Sequence, residues 1–318
     1  MSNKFLDLHH SIVHSRDEFI DFLCSNIPVD DCYIVKPNWF DPRPGSYTDA
    51  EILDTVLSAL PGKKIVIEGH SHSRNDLSIK ITPETMDEKR EWIRKQEVEY
   101  LQRLGITDVL KKHATGYINI TEEWWDGNVV SGETIKNIVE GKYTPLAHPE
   151  FYEIVPLSLF ELKGKTLIDL ARVKMSSPTC RDFSLTMKNL FGLVPQPSRF
   201  KYHDNLPESI VDINKVYRAL FNVIGVCEGI NESVVFHDKG QFSTPWSSFD
   251  VINELGIAVC GSELPDLDVF VGRLFNEDLT KRTLVQLARD VFGTHYASHI
   301  DEAPLLVDLT KGVPLIQS

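Results

Sequence analysis

Short apolar runs and helical repeats of apolar residues follow one another in the N-terminal part of the chain. Residues 32–38 form an apolar run that ends in Lys-Pro-Asn, and residues 64–68 form a second run that ends in glutamate. Between them, Ile, Leu and Val recur at helical spacing until Pro-Gly ends the repeat at residues 61–62. An earlier helix begins after Ser15, whose spacing from Glu18 is typical of a capping box. Strand, helix and strand in this order predict a βαβ unit with parallel strands and a right-handed crossover.

The rest of the chain continues this alternation. A long charged helix is predicted from residue 82 or 83 to residue 104, followed by a short strand or turn at 106–110, whereas residues 129–146 match no regular element and suggest an insertion. Further strands are predicted at 117–120, 152–159, 166–173 and 233–237, and further helices at 181–190, 210–223, 264–275 and 279–291. We therefore expect an α/β fold in which helices cover both faces of a mainly parallel sheet. Residues 1–318 would form a single domain, or two intimately packed lobes that meet near residues 115–150.

Composition narrows the function classes. The chain has 318 residues and a formal net charge of −13, which disfavours binding to nucleic acid or to an anionic membrane surface. Its five cysteines are widely spaced without a CxxC pair, so neither a zinc ribbon nor an iron–sulfur ligand set is encoded locally. We find no signal-peptide pattern and no apolar run of membrane-spanning length, and expect a cytoplasmic protein with reduced thiols. Dinucleotide-binding, Walker and GxSxG motifs are also absent, and the cofactor stays unknown.

Polar side chains follow three of the predicted strands. Lys36 and Asn38 end the first, Glu68 ends the second, and Lys174 follows the strand at 166–173. Ligands of parallel α/β folds bind beyond the carboxyl ends of the strands, so these groups are expected at one rim. A single lysine or asparagine there is more often a solvated or capping residue, and the three positions indicate a site only if the strands are neighbours.

A second group of candidates lies further along the chain. Lys188 and Asn189 end an amphipathic helix, where the lysine either complements the negative helix end or binds an anionic ligand. Two buried lysines near each other would lower the pKa of one of them and make a candidate base or imine-forming amine. His203 is an acid–base residue, a metal ligand, or a loop histidine packed on Tyr202. Glu228, at a predicted strand end, orients a lysine, binds a cation, or forms a salt bridge.

A metal site is an alternative. Glu68, His70 and His72 occupy every second position, which would place them on one face if the strand continued. Imidazole and carboxylate together suit zinc, iron or manganese. Gly69 and the serines around it favour a loop instead, in which this alignment is lost. Asp268, near the start of a predicted helix, is a further metal-ligand candidate.

Several segments have the order and spacing of one known family. They are 34–38 (IVKPN), 47–49 (YTD), 65–69 (IVIEG), 173–175 (VKM), 187–195 (MKNLFGLVP), 202–203 (YH), 211–214 (VDIN) and 261–268 (GSELPDLD). In these segments the chain resembles the family called domain of unknown function 362. Lys174 is followed by Met175-Ser176 where the family usually has a lysine–x–histidine, and the proline of the family's turn is missing after Glu228. The resemblance implies a fold and a pocket, but supplies no established activity, and the ferredoxin-type domain of some relatives has no counterpart in these cysteines.

Together these observations predict an enzyme that binds a small anionic metabolite, a carboxylate or a phosphate. The candidate residues are, as catalytic groups, Lys174, Lys188 and His203; as ligand-binding groups, Lys36, Asn38, Asn189, Glu68 and Glu228; and, for a divalent metal, His70, His72 and Asp268. A metal-binding protein and a non-catalytic binding or assembly module are the alternatives. The substrate, the reaction and the oligomeric state are left open.

Overall fold

A computed structural model describes residues 8–74, 85, 87–176, 183–236, 240–243, 248–293 and 304–307. Its strands are β1 (His9–Ile12), β2 (Cys32–Lys36), β3 (Lys63–Glu68), β4 (Gly116–Asn119), β5 (Thr166–Arg172), β6 (Lys174–Ser176), β7 (Asn222–Gly229), β8 (Glu232–Phe236), β9 (Phe242–Ser243), β10 (Ser248–Asn253) and β11 (Ile257–Gly261).

The helices surround these strands. They are α1 (Arg16–Asn26), α2 (Ala50–Ala59), α3 (Arg90–Arg103), α4 (Ile106–Lys112), α5 (Ile120–Trp125), α6 (Gly132–Glu140), α7 (Leu157–Phe160), α8 (Thr186–Asn189), α9 (Leu206–Leu220), α10 (Leu264–Leu274) and α11 (Thr283–Phe292). Among the residues covered above, no helix is both long and apolar enough to cross a bilayer.

The main sheet has seven strands in the order β1-β11-β7-β5-β2-β3-β4. Strands β7, β5, β2, β3 and β4 are parallel, whereas β11 is antiparallel to both of its neighbours. The predicted α/β fold is confirmed, although the sheet is mixed because β11 interrupts the parallel pattern at one edge.

Neighbouring residues of the central strands point into two different cores. Ile34 and Leu167 pack on the face covered by α9 and α10, and Val35 and Ile168 pack on the face covered by α1 and α2. A strand that is buried on both faces needs apolar residues at consecutive positions, which explains the continuous apolar runs in the sequence.

The order of the strands reverses at the centre of the sheet. From β2 the chain passes to β3 and β4 on one side, and it then returns to β5 and β7 on the other side. Helix α2, which joins β2 to β3, and helix α9, which precedes β7, belong to opposite cores. The carboxyl ends of β2 and β5 therefore border a topological switch point, which is the crevice where α/β proteins bind ligands.

A second sheet, in the order β6-β8-β10-β9, begins at the same place. Strand β5 passes into β6 through Val173, whose N–H donates to the Glu228 carbonyl at 2.8 Å and whose carbonyl accepts from Val234 N–H at 3.0 Å. Lys174 is the first residue of β6. The junction of the two sheets thus holds Lys174 at the switch point.

The predicted start of α1 after Ser15 is confirmed. Ser15 Oγ accepts from Glu18 N–H at 3.2 Å, which is the first bond of a capping box. The Glu18 carboxylate accepts from His14 N–H at 2.6 Å, one residue before the N-cap. Asp49 caps α2 by accepting from Ile52 N–H at 2.9 Å.

Three predicted elements are wrong. Residues 106–110 lie in α4, because Gly105 takes a left-handed conformation that ends α3 and allows a new helix to start at once. Residues 129–146 contain α6, which Ser131 caps and whose buried Ile135 and Val139 are one turn apart. Residues 152–159 form no strand: a 3-10 turn (Pro149–Glu153) and α7 occupy them, and Pro156 directly precedes α7.

Other predictions extend beyond the described residues. The start of the helix at residue 82 or 83, residues 181–182 of the helix at 181–190, and residue 237 of the strand at 233–237 fall there. The described parts of the first and the last of these elements are α3 and β8. The helix predicted at 181–190 is wrong over residues 183–185, where Ser184 forms an isolated bridge with Lys174, and α8 starts only at Thr186.

Candidate functional site

A buried lysine and a buried asparagine meet across the switch point. Lys174 Nζ donates a hydrogen bond to Asn38 Oδ1, and the two residues are 1% and 8% exposed. Reciprocal bonds with Thr48 fix the loop after β2: Asn38 N–H donates to Thr48 Oγ1 at 2.9 Å, and Thr48 N–H donates to the Asn38 carbonyl at 2.7 Å. Two residues that the sequence placed at separate strand ends are therefore in direct contact.

The Asn38 amide continues into a chain of hydrogen bonds. Its Nδ2 donates to Asn189 Oδ1 at 2.8 Å, and Asn189 Nδ2 donates to Asp169 Oδ1 at 2.7 Å. Asn189 Nδ2 also lies 3.2 Å from the Leu170 carbonyl. Both polar atoms of the Asn189 side chain are thus engaged inside the protein, and the role that the geometry gives Asn189 is to orient Asn38.

A second buried lysine lies beside this chain. Lys36 Nζ is 2.9 Å from Glu68 Oε2 and 2.7 Å from the Pro37 carbonyl, and Gly69 N–H donates to Glu68 Oε1 at 3.0 Å. Burial lowers the pKa of Lys36, while the adjacent Glu68 carboxylate acts in the opposite direction. A Cβ at Gly192 would lie 2.8 Å from Lys36 Nζ, so the glycine allows the backbone of the 187–195 segment to pack on this ion pair.

Lys174 is in a different electrostatic position. In the described part of the chain, no carboxylate forms an ion pair with its ammonium group. Burial, and then the charge of Arg172, lower the pKa of Lys174 well below its ordinary value. The charges of Lys188 and Lys36 act in the same direction, and the Asp41 carboxylate opposes them. A buried amine with cationic neighbours favours its neutral form unless an anion joins it.

The hydrogen-bond chain ends on a carboxyl group that sequence reasoning did not select. Asp169 lies inside β5 and is fully buried. Burial raises its pKa well above the ordinary value, against the hydrogen bond from Asn189 and the charge of Lys36. A signal was present, because Asp169 stands among apolar residues in a strand that is buried on both faces, where a carboxyl group needs a specific partner.

Asp268, predicted as a metal ligand, accepts hydrogen bonds from the first residues of α8. Its Oδ1 accepts from Thr186 N–H at 2.9 Å and from the Thr186 hydroxyl, and its Oδ2 accepts from Met187 N–H at 3.1 Å. Burial raises its pKa to about 7. These bonds fix the start of α8, and Asn214 Nδ2 holds the same turn by donating to the Met187 carbonyl at 2.9 Å. Asp268 therefore positions the helix that carries Asn189.

Glu228 forms a buried ion pair with Arg172. Arg172 Nε donates to Glu228 Oε1 at 2.6 Å, and a second guanidinium nitrogen donates to Asp49 Oδ2 at 2.8 Å. Burial raises the pKa of Glu228, while Arg172 acts in the opposite direction. Of the roles predicted for Glu228, the salt bridge is the one that the structure shows.

The residues Glu68, His70 and His72 do not share a face. Glu68 contacts Lys36, whereas the His72 ring lies edge-on to Phe200 with 5.9 Å between ring centroids. His70 Nε2 is 2.6 Å from Glu122 Oε1. The loop after β3 sends the three side chains in different directions, as Gly69 and its serine neighbours indicated.

His70 belongs to an ionic cluster that the sequence did not predict. Its Nδ1 lies 3.7 Å from Glu97 Oε2, and Arg74 donates to the other Glu97 oxygen at 2.8 Å. Burial lowers the pKa of His70, but the hydrogen bonds to Glu122 and Glu97 outweigh burial and raise it. Among the described residues, no group of three or more His, Cys, Asp and Glu side chains is arranged to hold a metal ion.

The last two candidates lie at the edge of the site. His203 is exposed, and its Nδ1 lies 3.0 Å from the Arg199 carbonyl. Its ring lies edge-on to that of Phe191, with 6.1 Å between the ring centroids. Through Phe191 it contacts the segment that contains Gly192. Lys188 is half-buried, and its charge acts on Lys174.

A serine, a histidine and an aspartate form a hydrogen-bonded row elsewhere in the fold. His148 Nε2 is 3.1 Å from Ser209 Oγ, and His148 Nδ1 is 3.1 Å from Asp212 Oδ2. Ser209 is fully buried in the first turns of α9, and its Oγ also lies 3.0 Å from the Asn205 carbonyl. A nucleophile needs contact with its substrate, so this row fastens the segment before α7 to α9 and does not form a hydrolase site.

A cavity of about 310 Å³ lies at the same edge of the main sheet but away from the lysines. It is lined by Val13, His14, Ser15, Arg16, Phe19, Glu51, Ile52, Thr55, Ile230, Asn231, Glu254 and Gly256. None of the predicted site residues belongs to its lining.

Comparison with known protein families gives a match over most of the chain. A family model described as Domain of unknown function (DUF362) matches residues 34–233. This range ends before Asp268 and includes the other residues of the two lysine clusters: Lys36, Asn38, Glu68, Asp169, Lys174, Asn189 and Glu228. No curated protein and no solved structure matches the chain.

Proposed function

The chain belongs to the family described as Domain of unknown function (DUF362), and we propose that this member is an enzyme that binds a small anionic metabolite at the switch point between β2 and β5. The anionic group, a carboxylate or a phosphate, pairs with Lys174. Asn38 holds the lysine in place, and Asn189 and Asp169 hold Asn38.

The observation that carries this proposal is the buried amine of Lys174. The other buried lysine of the site, Lys36, has Glu68 as its partner, whereas no described carboxylate forms an ion pair with Lys174. A buried ammonium without a counter-ion is expensive, and fold stability alone gives no reason to place one there. An anionic ligand supplies the counter-ion that the described residues do not provide, and it makes charge-assisted hydrogen bonds with the ammonium.

The surroundings of Lys174 limit the ligand. Phe40 lies with its ring centroid 5.2 Å from Lys174 Nζ and is itself partly exposed, so movement of this ring is the entry route that we propose. A route that opens by movement of a single ring is narrow, and it favours a metabolite with few atoms beyond its anionic group.

A thermal-shift screen of small carboxylates and phosphates tests the proposal. A ligand present at a hundredfold excess over its dissociation constant stabilises the folded state by about 2.7 kcal/mol. We expect the wild-type protein to respond and Lys174→Met to lose the response. The stability of the free protein should change little, because methionine needs no counter-ion and this offsets the loss of the hydrogen bond to Asn38 Oδ1.

Lys215→Met is the matched control. Lys215 is also buried, but its ammonium lies 3.1 Å from Asp212 Oδ1 on α9. This variant should lose stability and keep the ligand response. A response that persists in Lys174→Met, or no response to any anion in the wild-type protein, contradicts the proposal.

A further inference from the structure

We propose that Lys174 is a nucleophile that forms an imine with a small 2-oxo acid. This inference rests on the proposed function and names the substrate class of the same site. The geometry behind it is the burial of the amine, the absence of an ion pair with any described carboxylate, and the hydrogen bond that orients its nitrogen toward Asn38.

The neighbours of Lys174 favour the reactive form of the amine. Burial lowers the pKa of Lys174, and the charges of Arg172, Lys188 and Lys36 act in the same direction and outweigh the opposing Asp41 carboxylate. A neutral amine has the lone pair that attacks a carbonyl carbon, which an ammonium group lacks. Asn38 Oδ1 accepts one amine N–H, and this leaves the lone pair directed away from the asparagine.

The reaction is a condensation that needs no oxidant, reductant or further reactant. The Lys174 nitrogen attacks the carbonyl carbon and forms a carbon–nitrogen bond. The carbonyl oxygen then leaves as water together with the two hydrogens of the amine, so that a carbon–nitrogen double bond remains. Uptake of one proton from solvent converts the imine into the iminium ion.

The position of the charge selects a 2-oxo acid among carbonyl compounds. The iminium ion is a buried cation. The Asp41 carboxylate, whose charge acts on Lys174, forms its ion pair with Arg43 at 3.0 Å, and no described carboxylate forms an ion pair with Lys174. In a 2-oxo acid the carboxylate is bonded to the carbon that forms the imine, so the substrate brings its own counter-ion. A neutral aldehyde or ketone leaves the cation unpaired.

Reductive trapping tests this inference. Wild-type protein is incubated with pyruvate or glyoxylate, reduced with sodium borohydride, and analysed by intact mass and peptide mapping. We expect one reduced adduct, located on Lys174. Lys174→Arg, which keeps the positive charge but has no amine to condense, should lose this adduct, and acetone or acetaldehyde should label Lys174 much less than the 2-oxo acids do.

Failure of the inference is distinguishable from failure of the proposed function. An adduct that is confined to exposed lysines, or the absence of any adduct, overturns the imine. If lactate or phosphate still shifts the melting temperature of the wild-type protein but not of Lys174→Met, the anion site stands without covalent chemistry. If neither trapping nor a thermal shift is seen, both the imine and the anion site are wrong.

Discussion

Lys174 donates a hydrogen bond to Asn38, which lies 136 residues earlier in the chain. The contact exists because β5 is placed next to β2 although β3 and β4 come between them in the sequence. The two side chains thus join the carboxyl ends of the two strands at the switch point.

Asn38→Asp should remove the response to anions. The new carboxylate would lie against Lys174 and pair with it, which raises the pKa of the lysine and occupies the position of the ligand. We expect the thermal shift by the anion to be lost, while the stability of the free protein changes little because the new ion pair offsets the lost bond to Asn189. Asn38→Ala is the comparison: it also lacks the amide but adds no charge, and it should keep a weakened response.

Asn189→Ala should destabilise the protein by about 2–3 kcal/mol. The substitution leaves the buried carboxyl group of Asp169 and the Asn38 amide without their partners. Urea denaturation measures the loss. Asn222→Ala is the control, because that side chain is exposed and makes one bond of 2.8 Å to the Gly164 carbonyl. A loss of equal size in both variants would show that the buried network adds no stability of its own.

Gly192→Ala should destabilise the protein by about 1–3 kcal/mol. The added methyl group would come within 2.8 Å of Lys36 Nζ and 3.2 Å of Glu68 Oε1. The lysine cannot move aside without weakening its ion pair, because it is held by Glu68 and by the Pro37 carbonyl.

Gly116→Ala is the matched control for this substitution. At that position the contact of a new Cβ is an ordinary 3.5 Å to Ile65. We expect its stability to change by less than about 0.5 kcal/mol. Chemical denaturation measures the free energy of unfolding of both variants. Equal losses in Gly192→Ala and Gly116→Ala would refute the close packing of Gly192 on the ion pair.

Glu122→Gln should change the pH dependence of stability. Burial acts to raise the pKa of Glu122, but hydrogen bonds from His70 and Arg94 outweigh it and lower the pKa to about 2. The folded state therefore binds this proton less readily than the unfolded state does, so the carboxylate stabilises the fold above its ordinary pKa of 4.5 and this contribution is lost as pH falls toward 2.

Denaturation at several pH values measures this contribution. The wild-type protein should exceed Glu122→Gln by about 1–2 kcal/mol at pH 7, after allowance for solvent screening of a partly exposed group, and the difference should narrow below about pH 4.5. Glu133→Gln, at an exposed position on α6, should differ from the wild-type protein by less than about 0.5 kcal/mol throughout. A difference for Glu122→Gln that is the same at every pH would show that its charge is not involved.

The sequence predicts the strand ends of the site well and their connections poorly. Lys36, Asn38 and Lys174 were recognisable because a polar residue after a buried apolar run in a βαβ pattern has few other roles. Which strand ends are neighbours depends on strand order, and the pattern of apolar residues does not contain that order. The contact between Lys174 and Asn38 therefore required the structure.

The supporting residues were harder to assign for a different physical reason. Asp268 is an acidic residue near a helix start, and the sequence does not reveal that its partner is the first turn of another helix, α8. His70 and His72 follow β3 at a spacing that suits a metal site only in a continuing strand, and the turn after Glu68 removes that regularity. The identity of a polar residue thus indicated burial and chemistry, but not its partner.

The most direct test of the account is the titration of the Lys174 amine by NMR, with carbon-13 at the ε position of lysine and Lys174→Arg used to assign the signal. We expect Lys174 in the free protein to titrate well below the ordinary lysine value of 10.5. A saturating non-carbonyl anion, such as lactate or phosphate, should move this titration upward because it stabilises the ammonium form. A Lys174 signal that titrates like an exposed lysine, or one that no anion displaces, would contradict the assignment of Lys174 as the anion-binding group of the switch point.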